Sequence, residues 1–108
     1  MADALGIFEQ AVLLSLVGSK EAYGRSILKD VQIRLNRPLT AGAIYATLDR
    51  LEEKGLVSSR EASGDESRAG RRRRYYVIEA DGMRALRNAK EVVDRIWSGV
   101  RLPAEGTI

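Results

Sequence analysis

The sequence has 108 residues, with 18 Lys+Arg against 15 Asp+Glu, a formal charge of +3, and neither His nor Cys. This length suits one domain with a modest core, since a chain this size buries only about two-thirds of the surface it exposes when unfolded. Without His or Cys there is no Ser–His or Cys–His nucleophile pair, no disulfide scaffold and no nitrogen or sulfur ligand for zinc, which removes most enzyme designs. The longest largely apolar stretch, Ala11–Val17, falls far short of the roughly 20 residues that span a bilayer. Asp3 and Glu9 are unlike the basic start of a signal peptide. A soluble cytoplasmic protein is therefore expected, with no metal or other cofactor.

Residues 5–17 read as a first helix, with Leu5, Phe8, Val12 and Leu16 at helical spacing and Ile7, Leu13 and Leu14 widening the apolar surface to two sides. Gly18 and Ser19 end it. A second helix is expected from Tyr23 to Leu35, turning Ile27, Leu28, Val31 and Leu35 inward, and stopping at Asn36 ahead of the Arg37–Pro38 pair. Thr40 then offers a hydroxyl cap for a third helix over Ala41–Lys54, with Ile44, Leu48 and Leu51 inward and Gly55 in the position after its end. Its outer face carries Gly42, Tyr45, Ala46, Asp49, Arg50 and Glu53. Leu56–Arg60 and Arg73–Ile78 are β-prone, and the Gly-, Ser- and charge-rich 61–72 between them makes a hairpin with a long tip. A last helix starts at Ala80 or Asp81 and runs to Ser98. It carries Leu86, Ala89, Val93, Ile96 and Val100 on a seam flanked by Met83 and Trp97, more apolar seam than one small domain needs. The expected division is 1–78 for the body, 79–98 for the last helix of the same compact domain, and 99–108 for a flexible tail.

Three helices, a hairpin and a helix give an α+β winged helix, a helix-turn-helix variant whose third helix enters the major groove while the hairpin reaches the adjacent backbone. Charge placement supports that use. Residues 68–74 hold five arginines and no acid, leaving the rest of the chain net negative, and such a cluster calls for a polyanion. Arginines that neutralise phosphates release counterions and so strengthen binding at low salt.

Three runs resemble the PadR-like transcriptional regulators: Ala22-Tyr23-Gly24, the stretch from Ala43-Ile44-Tyr45 through Lys54-Gly55-Leu56-Val57, and Gly70-Arg71-Arg72-Arg73-Arg74-Tyr75-Tyr76-Val77-Ile78 followed by Gly82. Together they cover most of residues 5–98. The resemblance implies a dimeric DNA-binding repressor without enzymatic activity, dimerising through its last helix. The chain looks like the family's short form. It departs from the pattern at Glu79, where the family usually places Thr, so the last helix loses a hydroxyl cap and its start is expected to shift towards Asp81 or fray.

The expected DNA contacts are Thr40, Ala41 and Gly42, whose backbone N–H groups point along the helix dipole towards a phosphate. Tyr45 joins them, its hydroxyl suiting a phosphate and its ring a thymine methyl. Arg50 is read equally as a DNA contact or an ion-pair partner of nearby acids. In the wing, strand alternation turns Arg74 inward with Tyr76 and Ile78, leaving Arg71 and Arg73 for phosphates and Arg68 and Arg72 at the tip. Glu61, Asp65 and Glu66 could be imagined as a metal site, but lack the oxygens calcium prefers. Leu5, Phe8, Leu86, Ala89, Val93, Ile96, Trp97 and Val100 are the expected homodimer interface, with Trp97 as its aromatic anchor. Paired Trp97 side chains beside Val93 could also stack a small, flat aromatic ligand at the subunit junction. The rival reading is a protein–protein adaptor using the winged-helix surface. RNA binding would need exposed stacking aromatics, for which Tyr45 and Tyr75 are the candidates.

Overall fold

The computed structural model describes residues 4–62 and 73–106. Helix α1 (Ile7–Leu14) is shorter than the periodicity of residues 5–17 predicts. At its start the Glu9 carboxylate accepts the Gly6 N–H at 3.1 Å. At its end the Ser15 hydroxyl donates to the Val12 carbonyl at 2.6 Å, and the chain leaves through a turn to Gly18, which has φ of 80°. Leu16 still enters the core from that turn, so burial continued where the helix did not.

A two-residue strand, β1 (Ala22–Tyr23), follows, and leads directly into α2 (Gly24–Leu35). The Ser26 hydroxyl holds the junction by accepting from the Tyr23 N–H and donating to the Tyr23 carbonyl. Asn36 ends α2 in the left-handed conformation, φ 53°. Helix α3 (Ala41–Glu53) begins as expected at Thr40, whose Oγ1 accepts from the Ala43 N–H at 3.1 Å. Gly55, at φ 76°, turns the chain out of it, where glycine escapes the penalty any Cβ would incur.

Strands β2 (Val57–Glu61) and β3 (Arg74–Ile78) form the wing, and β1 joins them to give a three-stranded antiparallel sheet in the order β1-β3-β2. Helix α4 (Ala80–Trp97) then leaves the sheet. Glu79 caps it with no side-chain bond, yet the start does not slip to Asp81. A backbone bond fixes the start by another route: the Glu79 N–H donates to the Leu56 carbonyl at 2.9 Å, which ties the cap residue to the turn after α3 without giving the first helical N–H groups the acceptor a hydroxyl would be. Gly82 is buried against the same carbonyl, and a Cβ there would also meet Ile78 Cγ1 at 2.7 Å.

The core gathers Val12, Leu13 and Leu16 from the first segment, Ile27 and Val31 from α2, Ile44, Leu48 and Leu51 from α3, and Val57 and Tyr76 from the sheet. Leu5, Phe8 and Leu86 pack against this core within the one protomer, which narrows what they can offer a partner. From residue 91 onward every described residue of α4 and the tail is exposed, and the molecule measures 58 × 33 × 22 Å. Among the described residues no helix is long and apolar enough to cross a membrane.

Candidate nucleic-acid interface

The face of α3 opposite the core displays Ala41, Gly42, Tyr45, Ala46, Asp49 and Arg50, all exposed. Gly42 and Ala46 have almost no side chain, so a broad partner can approach the helix backbone there. Tyr45 stands to one side of them, 45 % exposed. Its position is set by α2: a Cβ built on Gly24 would overlap the Tyr45 phenol, meeting Cε1 at 2.8 Å. The Tyr23-Gly24 pair thus acquires a physical reason, since only glycine at the start of α2 lets the ring of α3 lie down on it. Arg50 donates from Nη2 to the Thr47 Oγ1 at 3.2 Å, a contact with neither of the outcomes weighed from sequence, and its guanidinium stays exposed at the far side of the face.

Beside this helix the wing root sorts its cations by face. Arg74 shares a face with Tyr76, but instead of turning inward it lies at the exposed edge, a correction to the expectation from alternation. It donates to Ser59 Oγ at 3.0 Å and to Glu61 Oε1 at 3.3 Å, and Ser59 in turn donates to Glu52 of α3 at 2.8 Å. Arg74 is therefore a strut between wing and α3. On the opposite face Arg73 sits 4.0 Å over the Tyr23 ring, and Arg60 sits 4.8 Å over the Tyr75 ring. Tyr75 is only 7 % exposed. That corrects the expectation of a free stacking aromatic, because Tyr23 and Arg60 cover the face that strand alternation leaves open. Arg68, Arg71 and Arg72 lie outside the described residues, as do Asp65 and Glu66 of the acid cluster considered for a metal.

The phenol of Tyr76, buried under α3, is pushed above its ordinary pKa by burial first and then by the neighbouring Tyr45 and Asp49, with Arg74 pulling the other way. It stays neutral at physiological pH and presents no charge to this surface. Sequence reasoning overlooked Arg60, took Tyr23 only as part of the Ala22-Tyr23-Gly24 run and weighed Tyr75 only as a stacking aromatic for RNA, so the contacts among them were not expected. The signal was present only as Arg–Tyr neighbours whose pairing depends on a strand, β1, too short to show a pattern.

The expected interface residues divide in two. Val93, Ile96 and Trp97 lie on the exposed second half of α4 and Val100 just past its end, with Ile96 70 % and Trp97 51 % exposed, whereas Ala89 is half-buried and Leu5, Phe8 and Leu86 lean inward. A cleft of about 630 Å³ between the α1 entry, the end of α3 and α4 includes Leu5, Lys54, Ala85, Ala89 and Val93 in its lining, but not Trp97. Of the two residues expected to share a ligand, then, this cleft holds Val93 alone.

The sequence matches the profile of the Transcriptional regulator PadR-like family over residues 13–88. Among solved structures, a PadR family transcriptional regulator from Eggerthella lenta is similar at 27 % identity with a TM-score of 0.68, over 84 % of this chain and 75 % of that one. A PadR family transcription regulator from Clostridium difficile is 28 % identical with a TM-score of 0.66, over 85 % of this chain and 95 % of that one. RosR from H. salinarum shares the fold, with a TM-score of 0.73 at 22 % identity over 94 % and 84 % of the two chains. No curated protein matches the sequence. With a winged helix-turn-helix, a capped and exposed third helix beside a basic wing, and the family profile across most of the length, this chain belongs to the PadR-like transcriptional regulators, which bind DNA and are not enzymes.

Proposed function

We propose that the protein is a homodimeric repressor of a pseudo-palindromic operator. The observation that carries this reading is the placement of two unlike surfaces: a polar, Thr40-capped helix face beside Arg60 and Arg73, and an apolar stripe of Val92, Val93, Ile96 and Trp97 on the projecting half of α4. Large exposed apolar stripes on a small chain mark a protein contact, and a second copy presenting the same stripe would cover it with twofold symmetry. Two α3 helices would then enter successive major grooves about 34 Å apart, with the wings on flanking backbone. Thr40, Ala41 and Gly42 hold a phosphate at the helix start, Tyr45 reads bases, and Arg50 with Arg68, Arg71, Arg72 and Arg73 grips the backbone. Occupying a promoter in this way blocks transcription.

The test is a gel shift on duplex from immediately upstream of the protein's own coding region, with unrelated duplex as competitor. The account expects a competitor-resistant shift that Tyr45→Ala weakens for this duplex more than for unrelated DNA. Equal affinity for every duplex would overturn specific readout. The half-exposed Trp97 on the same stripe favours one further element, a flat aromatic effector stacked between the two Trp97 rings of a dimer. Titrating tryptophan fluorescence with planar phenolic and cationic compounds checks it, and an unchanged signal across the panel leaves Trp97 as packing alone.

A further inference from the structure

The sheet register places Tyr23, Tyr75 and Arg60 opposite one another across all three strands: Tyr23 of β1 pairs with Tyr75 of β3, which pairs with Arg60 of β2. The two rings meet edge to face, with centroids 6.4 Å apart and planes at 87°. The Arg60 guanidinium lies over the Tyr75 ring, and that of Arg73 over the Tyr23 ring. The four side chains therefore form one row of cation, ring, ring, cation along the outer face of the wing root. A planar guanidinium stacked on a ring directs its N–H groups within its own plane, so Arg73 can lie on Tyr23 and still meet an anion, which a lysine ammonium cannot do with the same geometry.

We propose that Tyr23 is a positioning residue for DNA backbone binding, holding Arg73 as a pre-aligned phosphate-binding guanidinium, with Tyr75 packed edge to face against the Tyr23 ring to keep it in place. This proposal rests on the DNA-binding reading above and deepens it. It gives a role to β1: two residues are too few to add much sheet stability, but enough to bring the Tyr23 ring beneath Arg73. Because Tyr23 also opens α2, the row ties the wing's cations to the same helix start that seats Tyr45. Pre-alignment matters because a free arginine must lose rotamer freedom when it binds a phosphate, and a stacked one has already lost most of it.

The experiment measures affinity for duplex DNA against salt for Arg73→Ala, Arg73→Lys, Tyr23→Leu, Tyr23→Phe and the double variant Tyr23→Leu with Arg73→Lys. Arg73→Ala should weaken binding and lower the log–log salt slope by about one per lost contact. Arg73→Lys keeps the charge but not the stack, and should lose about two- to five-fold in affinity with the slope unchanged. Tyr23→Leu should lose a similar factor, the double variant should lose no more than either single one, and Tyr23→Phe, which keeps the ring, should restore the binding lost in Tyr23→Leu. If Arg73→Ala weakens binding while Arg73→Lys binds like the unaltered protein, the positioning role is refuted and the DNA contact stands. Additive losses in the double variant refute it equally. If Arg73→Ala has no effect at low salt, the wing contact itself fails and the positioning role with it. Arg73 is exposed, so its variants keep the reasoning testable even if Tyr23→Leu folds poorly.

Discussion

Replacing Gly24 with Ala asks whether the start of α2 is glycine in order to seat Tyr45. The added methyl would fall inside the Tyr45 phenol, so the ring must swing away. Overfilling a packed site costs about 1–3 kcal/mol. Here the displaced atoms are the tip of a half-exposed ring, which places the cost near the bottom of that range. Against it stands the gain from a less flexible unfolded chain, about 0.4–1 kcal/mol for Gly→Ala where the backbone allows it. Gly24 lies in regular helix, outside the left-handed region, so that gain applies. The net change in the unaltered background is therefore small, up to about 1 kcal/mol of destabilisation, or about 4–8 °C in Tm for a domain this size. With Tyr45→Ala already made the clash is gone, and the same substitution should stabilise by about 0.4–1 kcal/mol. Urea denaturation of the four proteins at one fixed concentration measures this reversal of sign. Gly24→Ala alone should also reduce operator preference as Tyr45→Ala does, with the salt slope unchanged. An identical stability change in both backgrounds would refute the reasoning.

Other outcomes follow from single contacts. Thr40→Ala removes the hydroxyl that caps the start of α3 and should cost about 1 kcal/mol in thermal unfolding, while Thr40→Ser should keep most of it. Folding holds the Tyr76 phenol in its protonated form, with a pKa above the ordinary 10.0. The folded state therefore binds this proton more tightly than the unfolded one: the stabilisation is fully present below about pH 10 and is lost as pH rises through the raised value. Denaturation at pH 9 to 11 should show that fall, and Tyr76→Phe should flatten it. Ile96→Asp alters a side chain 70 % exposed in the protomer, so it should leave the monomer fold intact by circular dichroism and abolish the dimer in sedimentation equilibrium.

Much of the fold was legible because its signals are local. Thr40 before an apolar period and Gly55 after it define α3 within one residue, and Asn36 ahead of a proline ends α2 where the structure ends it. What was illegible depends on contacts between distant residues. Strand β1 exists only because β3 offers it partners, and a two-residue strand has no alternation to read. Helix α1 stops early because Ser15 and Gly18 turn the chain while Leu16 keeps the burial that the periodicity recorded. At the site, the outward face of α3 and the exposed place of Arg73 could be read from spacing, whereas the roles of Arg60 and Arg74 could not. The burial of Tyr75 could not, since alternation says which face a side chain takes and not what covers that face. Gly24 and Tyr45 lie in different helices, so their fit became visible only in three dimensions.

The central claim is that one twofold assembly grips one duplex. Light-scattering mass of the complex between the protein and a duplex bearing a single operator tests it most directly. The account predicts two chains of 11.9 kDa each per duplex across the whole titration below saturation. A complex with one chain per duplex, or a duplex that gains no mass, would contradict it.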